Sequence, residues 1–195
     1  MGGPQQQKPA RGNPLVVFVM VALIFGSLYI VIKGILFPPN LERALKPPAL
    51  AAQDLGPIDL AWRVQQLDGP QMDMAQAKGK VVFLNFWEHW CPPCVAEMPS
   101  IQRLRQKVEG ADVLVLPVFQ DSPTATRQFI KQRAITMPVY HVEGSLPGDI
   151  VPEGIPTTYI IGKDGHVVFR QVGSARWDDD SVVAFLRALA AKGSP

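Results

Sequence analysis

A pair of cysteines, Cys91 and Cys94, constrains this chain more than any other feature. They are the only cysteines among 195 residues, so no second metal-type pair and no disulfide framework competes for them. An apolar, β-prone run over residues 80–87 precedes the pair, and residues 92–109 after it carry apolar side chains at helical spacing. A Cys-x-x-Cys pair between a buried strand and a helix indicates a redox motif.

The start of a helix gives these two cysteines different environments. Residues three apart are neighbours on one helix face, so Cys91 and Cys94 can form a disulfide without backbone movement. The helix dipole and free backbone N–H groups favour a thiolate on the first cysteine. Because Pro92 and Pro93 lack an N–H, that thiolate would rely mainly on the N–H of Cys94. We predict that Cys91 is the exposed nucleophile and Cys94 the shielded resolving thiol.

Two other interpretations of the pair stay open at this point. A tetrahedral zinc site takes four N or S ligands, so two of the three histidines, which are His89, His141 and His166, would have to join the cysteines. An inert structural disulfide is disfavoured because so short a loop constrains the unfolded chain little. We expect no metal.

The first 54 residues differ in composition from the rest. Residues 1–14 are polar and predict a disordered tail. Residues 15–32 are 18 residues without a charge, and residues 15–37 predict one transmembrane anchor helix, because about 20 apolar residues span a bilayer core. A cleaved signal peptide and a buried core helix are the alternatives, but no A-x-A-like site directly follows the apolar run. Two Pro-Pro pairs in residues 38–54 predict a semi-rigid linker.

Charge counting leaves the orientation of the anchor close to a tie. Lys8 and Arg11 precede the apolar run, while Lys33, Arg43 and Lys46 follow it. A first spanning segment near the N-terminus usually exports the domain that follows it. We therefore expect a single-pass protein of the cytoplasmic (inner) membrane, with its catalytic domain on the extracytoplasmic, periplasmic side, where disulfides persist.

Residues 55–192 predict one α/β domain. A mainly parallel central sheet, helices on both faces and an antiparallel edge hairpin are expected, because strands alternate with helices before two strands come together around a Gly-rich turn. The predicted strands cover residues 60–67, 80–87, 113–119, 137–142, 157–161 and 166–172, and the predicted helices cover 92–109, 123–134 and 178–191. The net charge of +2, without a basic run, gives no reason to expect nucleic acid.

The run from Phe83 to Pro99, FLNFWEHWCPPCVAEMP, resembles the membrane-anchored, thioredoxin-like thiol-disulfide oxidoreductases of bacteria, the TlpA/ResA-like group. The segments KGKVV at residues 78–82 and GIPTTY at residues 154–159 match as well, and the resemblance covers residues 55–192. It implies a thioredoxin-like fold and no cofactor other than a redox-active Cys91–Cys94 disulfide.

The resemblance also implies a substrate-binding surface. Pro156 takes the place of a cis-proline that faces the cysteines, and the backbone of Ile155 would pair with an extended substrate segment by strand addition. Trp90 matches the family tryptophan beside the cysteines. The alternative for Pro156 is an ordinary trans-proline in a loop.

An acidic position near the active site falls on Glu97. Three residues after Cys94, it could accept the proton of the resolving thiol; the alternative is an exposed helix glutamate. Asn85 occupies the position of the buried aspartate of ordinary thioredoxin. That proton acceptor is therefore absent here, which strengthens the case for Glu97 in the same role. Thr157 replaces the glutamate that follows the cis-proline in cytochrome-c-maturation reductases of the CcmG type.

The expected activity is reduction of protein disulfides, with Cys91 and Cys94 as the catalytic dithiol and Glu97 as proton acceptor. Expected partners are apocytochrome c or a copper-site maturation protein as substrate and a membrane protein as electron donor. A copper-binding assembly factor of the Sco kind is the rival interpretation, but that pattern normally separates its cysteines by three residues rather than two. An interaction module with idle cysteines is a further alternative.

Overall fold

The computed structural model describes residues 13–36 and 41–193, and the chain divides into two compact units, residues 1–39 and 40–195. In the first unit, helix α1 spans Pro14–Leu36. Asn13 begins it, since its Oδ1 accepts from the N–H of Leu15 at 3.1 Å. Residues 14–32 are long and apolar enough to cross a membrane and are nowhere buried. Residues 1–12 of the predicted tail lie outside the described part of the chain.

The second unit contains a seven-stranded sheet in the order β2-β1-β5-β4-β3-β6-β7. The strands are β1 (Arg63–Gln66), β2 (Gln71–Asp73), β3 (Val81–Phe86), β4 (Val113–Phe119), β5 (Tyr140–Glu143), β6 (Thr157–Ile161) and β7 (Val167–Val172). The helices are α2 (Leu41–Ala44), α3 (Pro92–Lys107), α4 (Pro123–Gln132) and α5 (Asp180–Ala191), with a 3₁₀ turn at Met74–Ala77. An α/β domain is confirmed.

The sheet is mixed rather than mainly parallel. Only β3–β4 and β4–β5 pair in parallel, whereas β1–β2, β1–β5, β3–β6 and β6–β7 are antiparallel. A parallel pair needs a crossover, usually a helix, and α3 and α4 supply the two crossovers between these neighbours. The loop over residues 144–156 contains no helix, and β6 enters the sheet antiparallel to β3.

The three longer helices of this unit contribute to one face of the sheet. Because β3, β4 and β5 follow each other in one direction, two right-handed crossovers place α3 and α4 on the same side. Side chains of α3, α4 and α5 pack in a cluster with Phe83 and Phe169. Ile58, Trp62, Ile150 and the 3₁₀ turn cover the other face, which corrects the prediction of helices on both faces.

Strand β5 begins three residues later than predicted. The preceding residues 135–139 are irregular, with a bend at Met137. The N–H groups of Thr136 and Met137 donate to Oε1 of Gln102 at 2.7 and 3.2 Å. The carbonyl of Val139 accepts from the N–H of Leu67 at 2.9 Å. These partners come from a helix and a loop, so the apolar pattern could not distinguish the segment from a strand.

Residues 41–58, which we call the strap, run along the domain. The carbonyl of Lys46 accepts from the N–H of Arg176 at 2.9 Å, and Leu50 packs against the helix-covered core. Gln53 to Ile58 then runs antiparallel to the first half of β7, with 2.9 Å bonds from the N–H groups of Gln53 and Leu55. The described part of the predicted linker is therefore docked on the domain.

Candidate active site

The end of β3 and the start of α3 hold the two cysteines. All six residues of β3 are buried, which fixes the strand that leads into the site. Cys91 is the N-cap of α3: its Sγ accepts from the N–H of Cys94 at 3.3 Å, and Pro92 follows at the first helical position. The two cysteines form a disulfide with their Cα atoms 5.3 Å apart.

Cys91 is much less exposed than the sequence predicted. Its exposed fraction is 4%, against 0% for Cys94. Cys91 is thus the more exposed of the two cysteines, as expected, but both are buried. The carbonyl oxygen of Ile155 lies 3.9 Å from Sγ of Cys91, and both cysteines pack in the core cluster with Trp87. Both sulfur atoms are therefore largely shielded from solvent in the disulfide form.

A cis-proline loop faces the cysteines. The Ile155–Pro156 peptide bond is cis, so Pro156 is not the ordinary trans-proline of the alternative. Two hydrogen bonds fix the loop: Oγ1 of Thr157 donates to the carbonyl of Gly154 at 2.6 Å, and the N–H of Gly173 donates to the carbonyl of Pro156 at 2.9 Å. These hydrogen bonds hold the loop so that the backbone of Ile155 lies beside Cys91.

Glu97 lies fully buried on α3, which excludes the exposed helix glutamate. Its Oε1 accepts from Nδ2 of Asn85 at 2.8 Å. Its Oε2 accepts from the N–H of Ala175 at 3.0 Å and from Nε1 of Trp177 at 2.9 Å. Ala175 and Trp177 come from the segment between β7 and α5, so this carboxyl joins three parts of the fold.

The protonation of Glu97 is balanced near neutral pH. Burial raises its pKa to about 7, because the charged form loses water, while the hydrogen bonds from Trp177, Ala175 and Asn85 act against this increase. A carboxyl with such a pKa can both take and return a proton under physiological conditions.

Asn85 is the one partner of Glu97 that can serve both protonation states. Its Nδ2 also donates to Oγ1 of Thr158 at 2.9 Å, whereas its Oδ1 is buried without a hydrogen-bond partner. Rotation of the amide would turn Oδ1 toward Glu97, where it could accept from the neutral acid. An aspartate at this position would add a second negative charge beside Glu97.

Trp90 is the exposed aromatic of the site, with an exposed fraction of 57%. Its Nε1 donates to Oδ2 of Asp121 at 2.8 Å, which anchors the ring to the loop after β4. Glu88 holds that loop, since its Oε1 accepts from the N–H groups of Gln120 and Asp121 at 2.8 and 3.1 Å.

Sequence reasoning missed Glu88. It is buried, and that burial raises its pKa. The sequence does contain one signal for it, since Glu88 is a charged residue between two tryptophans, directly after a buried strand. Its two backbone partners lie more than 30 positions away, and no local pattern predicts them.

Glu88, His89 and Asp121 offer possible ligand atoms within 4.8 Å of one another. Across the described ranges this is the one such group found, and it contains neither cysteine. His166 instead pairs with Asp54, and His141 lies 3.6 Å from Glu143. The structure therefore brings none of the three histidines into a metal-type group with the cysteine pair.

A disulfide that caps a helix after a central strand, opposite a cis-proline, defines a thioredoxin-like protein. Solved structures agree with this fold class. A thiol:disulfide interchange protein DsbE from Chlorobium tepidum is 23% identical with a TM-score of 0.60, over 70% of this chain and 99% of its own. A protein disulfide isomerase from Bacteroides thetaiotaomicron is 21% identical with a TM-score of 0.60, over 73% and 96%. The predicted thioredoxin-like α/β fold is confirmed.

The chain belongs to the AhpC/TSA family, which matches residues 59–170. The thiol-disulfide oxidoreductase ResA of Bacillus cereus is 35% identical over 113 residues, which are 56% of this chain and 65% of ResA. The thioredoxin-like protein YneN of Bacillus subtilis is 31% identical over 116 residues, 58% of this chain and 68% of YneN. The match thus spans slightly less than two thirds of ResA, and the resemblance to thiol-disulfide oxidoreductases is supported.

Proposed function

We propose that this protein is a membrane-tethered thiol-disulfide oxidoreductase that reduces protein disulfides outside the cytoplasm. The observation that carries the proposal is the Cys91–Cys94 disulfide at the cap of α3, facing cis-Pro156. The apolar helix α1 supports the tether, and the names of the relatives support the reaction class.

The dithiol reaction is a two-step exchange. The thiolate of Cys91 attacks one sulfur of the substrate disulfide, which forms a mixed disulfide and releases the other substrate sulfur as a thiolate. Cys94 then attacks Sγ of Cys91, which releases the second substrate thiol and forms the Cys91–Cys94 disulfide. Two electrons pass from the protein to the substrate, so a thiol donor must reduce the pair before the next cycle.

Cys94 must lose its proton before it can attack. It is fully buried, so bulk water is a poor acceptor, and Glu97 lies three residues further along the same helix. With a pKa raised to about 7 by burial, Glu97 can accept that proton and later release it. The substrate thiolate that leaves in the first step takes its proton from solvent.

The likeness to the TlpA/ResA-like group suggests the wider context. Apocytochrome c or a copper-site maturation protein is the proposed substrate, and a membrane protein that carries electrons outward is the proposed donor. The domain would then face the periplasmic side of the cytoplasmic membrane. Glu97 and the likeness to this group favour the reducing direction.

Trapping partners tests the reaction and the two cysteine roles together. In cells that produce a Cys94→Ser variant, Cys91 should form mixed disulfides that cannot be resolved, visible as slower bands on non-reducing gels. Mass spectrometry of these bands identifies the substrates.

The Cys91→Ser variant is the matched control, and it should trap none. If Cys91→Ser accumulates the mixed disulfides and Cys94→Ser does not, the nucleophile is Cys94. If neither variant traps a partner and the wild type fails to reduce protein disulfides, the proposed activity is wrong.

A further inference from the structure

Three side chains that can bind a metal meet beside the turn that leads into Cys91. Glu88 and His89 lie between β3 and α3, and Asp121 lies in the loop after β4. Because β3 and β4 pair in parallel, the segments that follow them lie at the same edge of the sheet. One possible ligand atom from each of the three residues lies within 4.8 Å of the other two.

Glu88 supplies a buried oxygen that lacks a hydrogen bond. The residue is only 8% exposed, and its Oε1 accepts from two backbone N–H groups of the loop after β4. Its Oε2 is buried as well, and within the part of the chain that the structure describes it has no hydrogen-bond partner. A carboxylate oxygen that has lost its water without gaining a partner is costly. A bound cation would supply the missing interaction.

Asp121 and His89 can contribute the other two ligands. Oδ1 of Asp121 accepts from the N–H of Ser122 at 2.7 Å, and Oδ2 accepts from Nε1 of Trp90 at 2.8 Å. A carboxylate offers about four lone-pair positions, so both oxygens can still accept a metal ion. Oγ1 of Thr126 lies 3.5 Å from Nδ1 of His89, and a partner of this kind orients the ring of a metal-binding histidine.

The chemistry of these ligands favours zinc. Zinc binds imidazole nitrogen and carboxylate oxygen at about 2.0–2.2 Å, often with three protein ligands and one water, whereas magnesium prefers six oxygens. Ligand atoms around a tetrahedral zinc lie about 3.4 Å apart, so the three side chains must move closer together. Asp121 is exposed and His89 is partly exposed, and rotation of these two side chains can supply that movement.

We propose that Glu88, His89 and Asp121 form a zinc site with water as the fourth ligand. Neither cysteine is a ligand, so the inference goes beyond disulfide reduction and does not depend on it. It differs from the expectation of no metal, because that expectation rested on sites that include the cysteines. The N–H of Cys91 donates to the carbonyl of Glu88 at 3.2 Å, so the ion would join the turn before α3 to the loop that anchors Trp90.

Zinc titration of the oxidised full-length protein tests the site. The Cys91–Cys94 disulfide is closed in this form, so neither sulfur can compete as a thiolate ligand. Isothermal titration calorimetry in a non-ionic detergent and a buffer free of chelators measures the stoichiometry and the affinity. We expect one zinc ion per chain, and we expect no saturable binding of magnesium at the same concentrations.

Variants assign the binding to the three residues. His89→Ala and Asp121→Asn should each weaken zinc binding by about tenfold or more, since even residues behind a metal ligand have effects of that size. Glu88→Gln should do the same, although its amide oxygen can still accept from the loop after β4. His166→Ala is the matched control, because His166 also lies beside a carboxylate, that of Asp54, and should bind zinc as the wild type does.

Thermal unfolding with and without zinc gives a second measure. Zinc should raise the unfolding temperature of the wild type and of His166→Ala, and it should not raise that of His89→Ala. The partly exposed His89 side chain makes this variant informative even if Glu88→Gln does not fold. The site is wrong if the wild type shows no saturable zinc binding, if His89→Ala binds zinc as tightly as the wild type, or if magnesium binds equally well.

Discussion

Two effects act in opposite directions on Glu97. Burial disfavours its charged form, and three donors favour it, with burial the larger effect. Since the pKa rises from 4.5 to about 7 on folding, the native protein binds more protons than the unfolded chain between these values. This favourable contribution is complete below pH 4.5 and is lost as the pH rises through 7. The shift corresponds to a loss on the order of 3 kcal/mol.

Replacing Glu97 with glutamine should remove both the proton acceptor and this pH dependence. We expect the rate at which the mixed disulfide is resolved to fall about 100-fold at pH 8, which is the usual size of a general-base effect. The wild-type rate should rise with pH through about 7, and the variant should lack that rise. Rapid quenching with a thiol-blocking reagent, followed by mass spectrometry, measures the resolution step.

Glu109→Gln is the matched control, because Glu109 is an exposed glutamate just beyond the end of α3. Urea unfolding of both variants at pH 5 and pH 8 gives a second measure. The wild type and Glu109→Gln should lose stability between the two values, and Glu97→Gln should change less. If Glu97→Gln keeps the rise in rate near pH 7, another group accepts the proton.

Individual residues differ in how well the sequence predicts them. Cys91, Cys94, Pro156 and Glu97 could be chosen because their motif occurs in one continuous run or matches a family position. Trp177, which donates to Glu97, lies 80 positions away, and only the folded segment after β7 reveals the contact. The small exposure of Cys91 also depends on a distant loop, so the local helix geometry could not predict it.

Helix α3 connects the active site to the strap. Cys91 caps its N-terminus, Glu97 lies on its buried side, and Arg103 lies at its surface. Arg103 donates to Asp178 at 2.7 Å and also pairs with Glu42 of α2. One guanidinium thus joins α3, the segment before α5 and the first turn of the strap.

Arg103→Met should loosen the strap without unfolding the domain. Because the Arg103 side chain is 43% exposed, we expect a loss of at most about 1 kcal/mol in global stability. Amide hydrogen exchange over residues 41–50 should be several times faster, while exchange in β3 stays unchanged. Arg105→Met, on an exposed position of the same helix, is the control. Unchanged exchange of the strap would show that Arg103 does not hold it.

Elements were predictable where their stabilising interactions are local. The bounds of β4 agree with the predicted residues 113–119, since a continuous apolar run ends there at polar neighbours. Asp179 caps α5 through the N–H of Ser181, one residue into the acidic run that marked the helix start. The three-residue β2 was not predicted, because so short a strand is defined by its partner β1. The mixture of parallel and antiparallel strand pairs also depends on long-range contacts, so local patterns could not predict it.

At the scale of the whole molecule, the proposed anchor would decide in which compartment the dithiol works. Helix α1 has the length and composition of a membrane span, and we propose that the domain lies outside the cytoplasm. Alkaline phosphatase joined after Lys192 should therefore be active in a bacterial host, since that enzyme needs disulfides that form outside the cytoplasm. The fusion should stay in the membrane pellet after alkaline carbonate extraction.

Green fluorescent protein joined after Lys192 is the reciprocal control, and it should be dark after export in unfolded form. Strong fluorescence with an inactive phosphatase fusion would place the domain in the cytoplasm. Loss of the phosphatase fusion from the membrane pellet would show that α1 does not act as an anchor.

The strap also affects how copies of the protein behave toward each other. Strand β7 is an edge of the sheet, and an uncovered edge offers its backbone groups to any other chain. Gln53 to Ile58 occupies the first half of that edge, and only the half nearer the cysteines stays open. A soluble fragment that begins after Ile58 would expose the whole edge and invite self-association, whereas one that begins at residue 41 keeps its own protective strand. The residues that follow α1 thus cover part of a sheet edge that would otherwise be open to other chains.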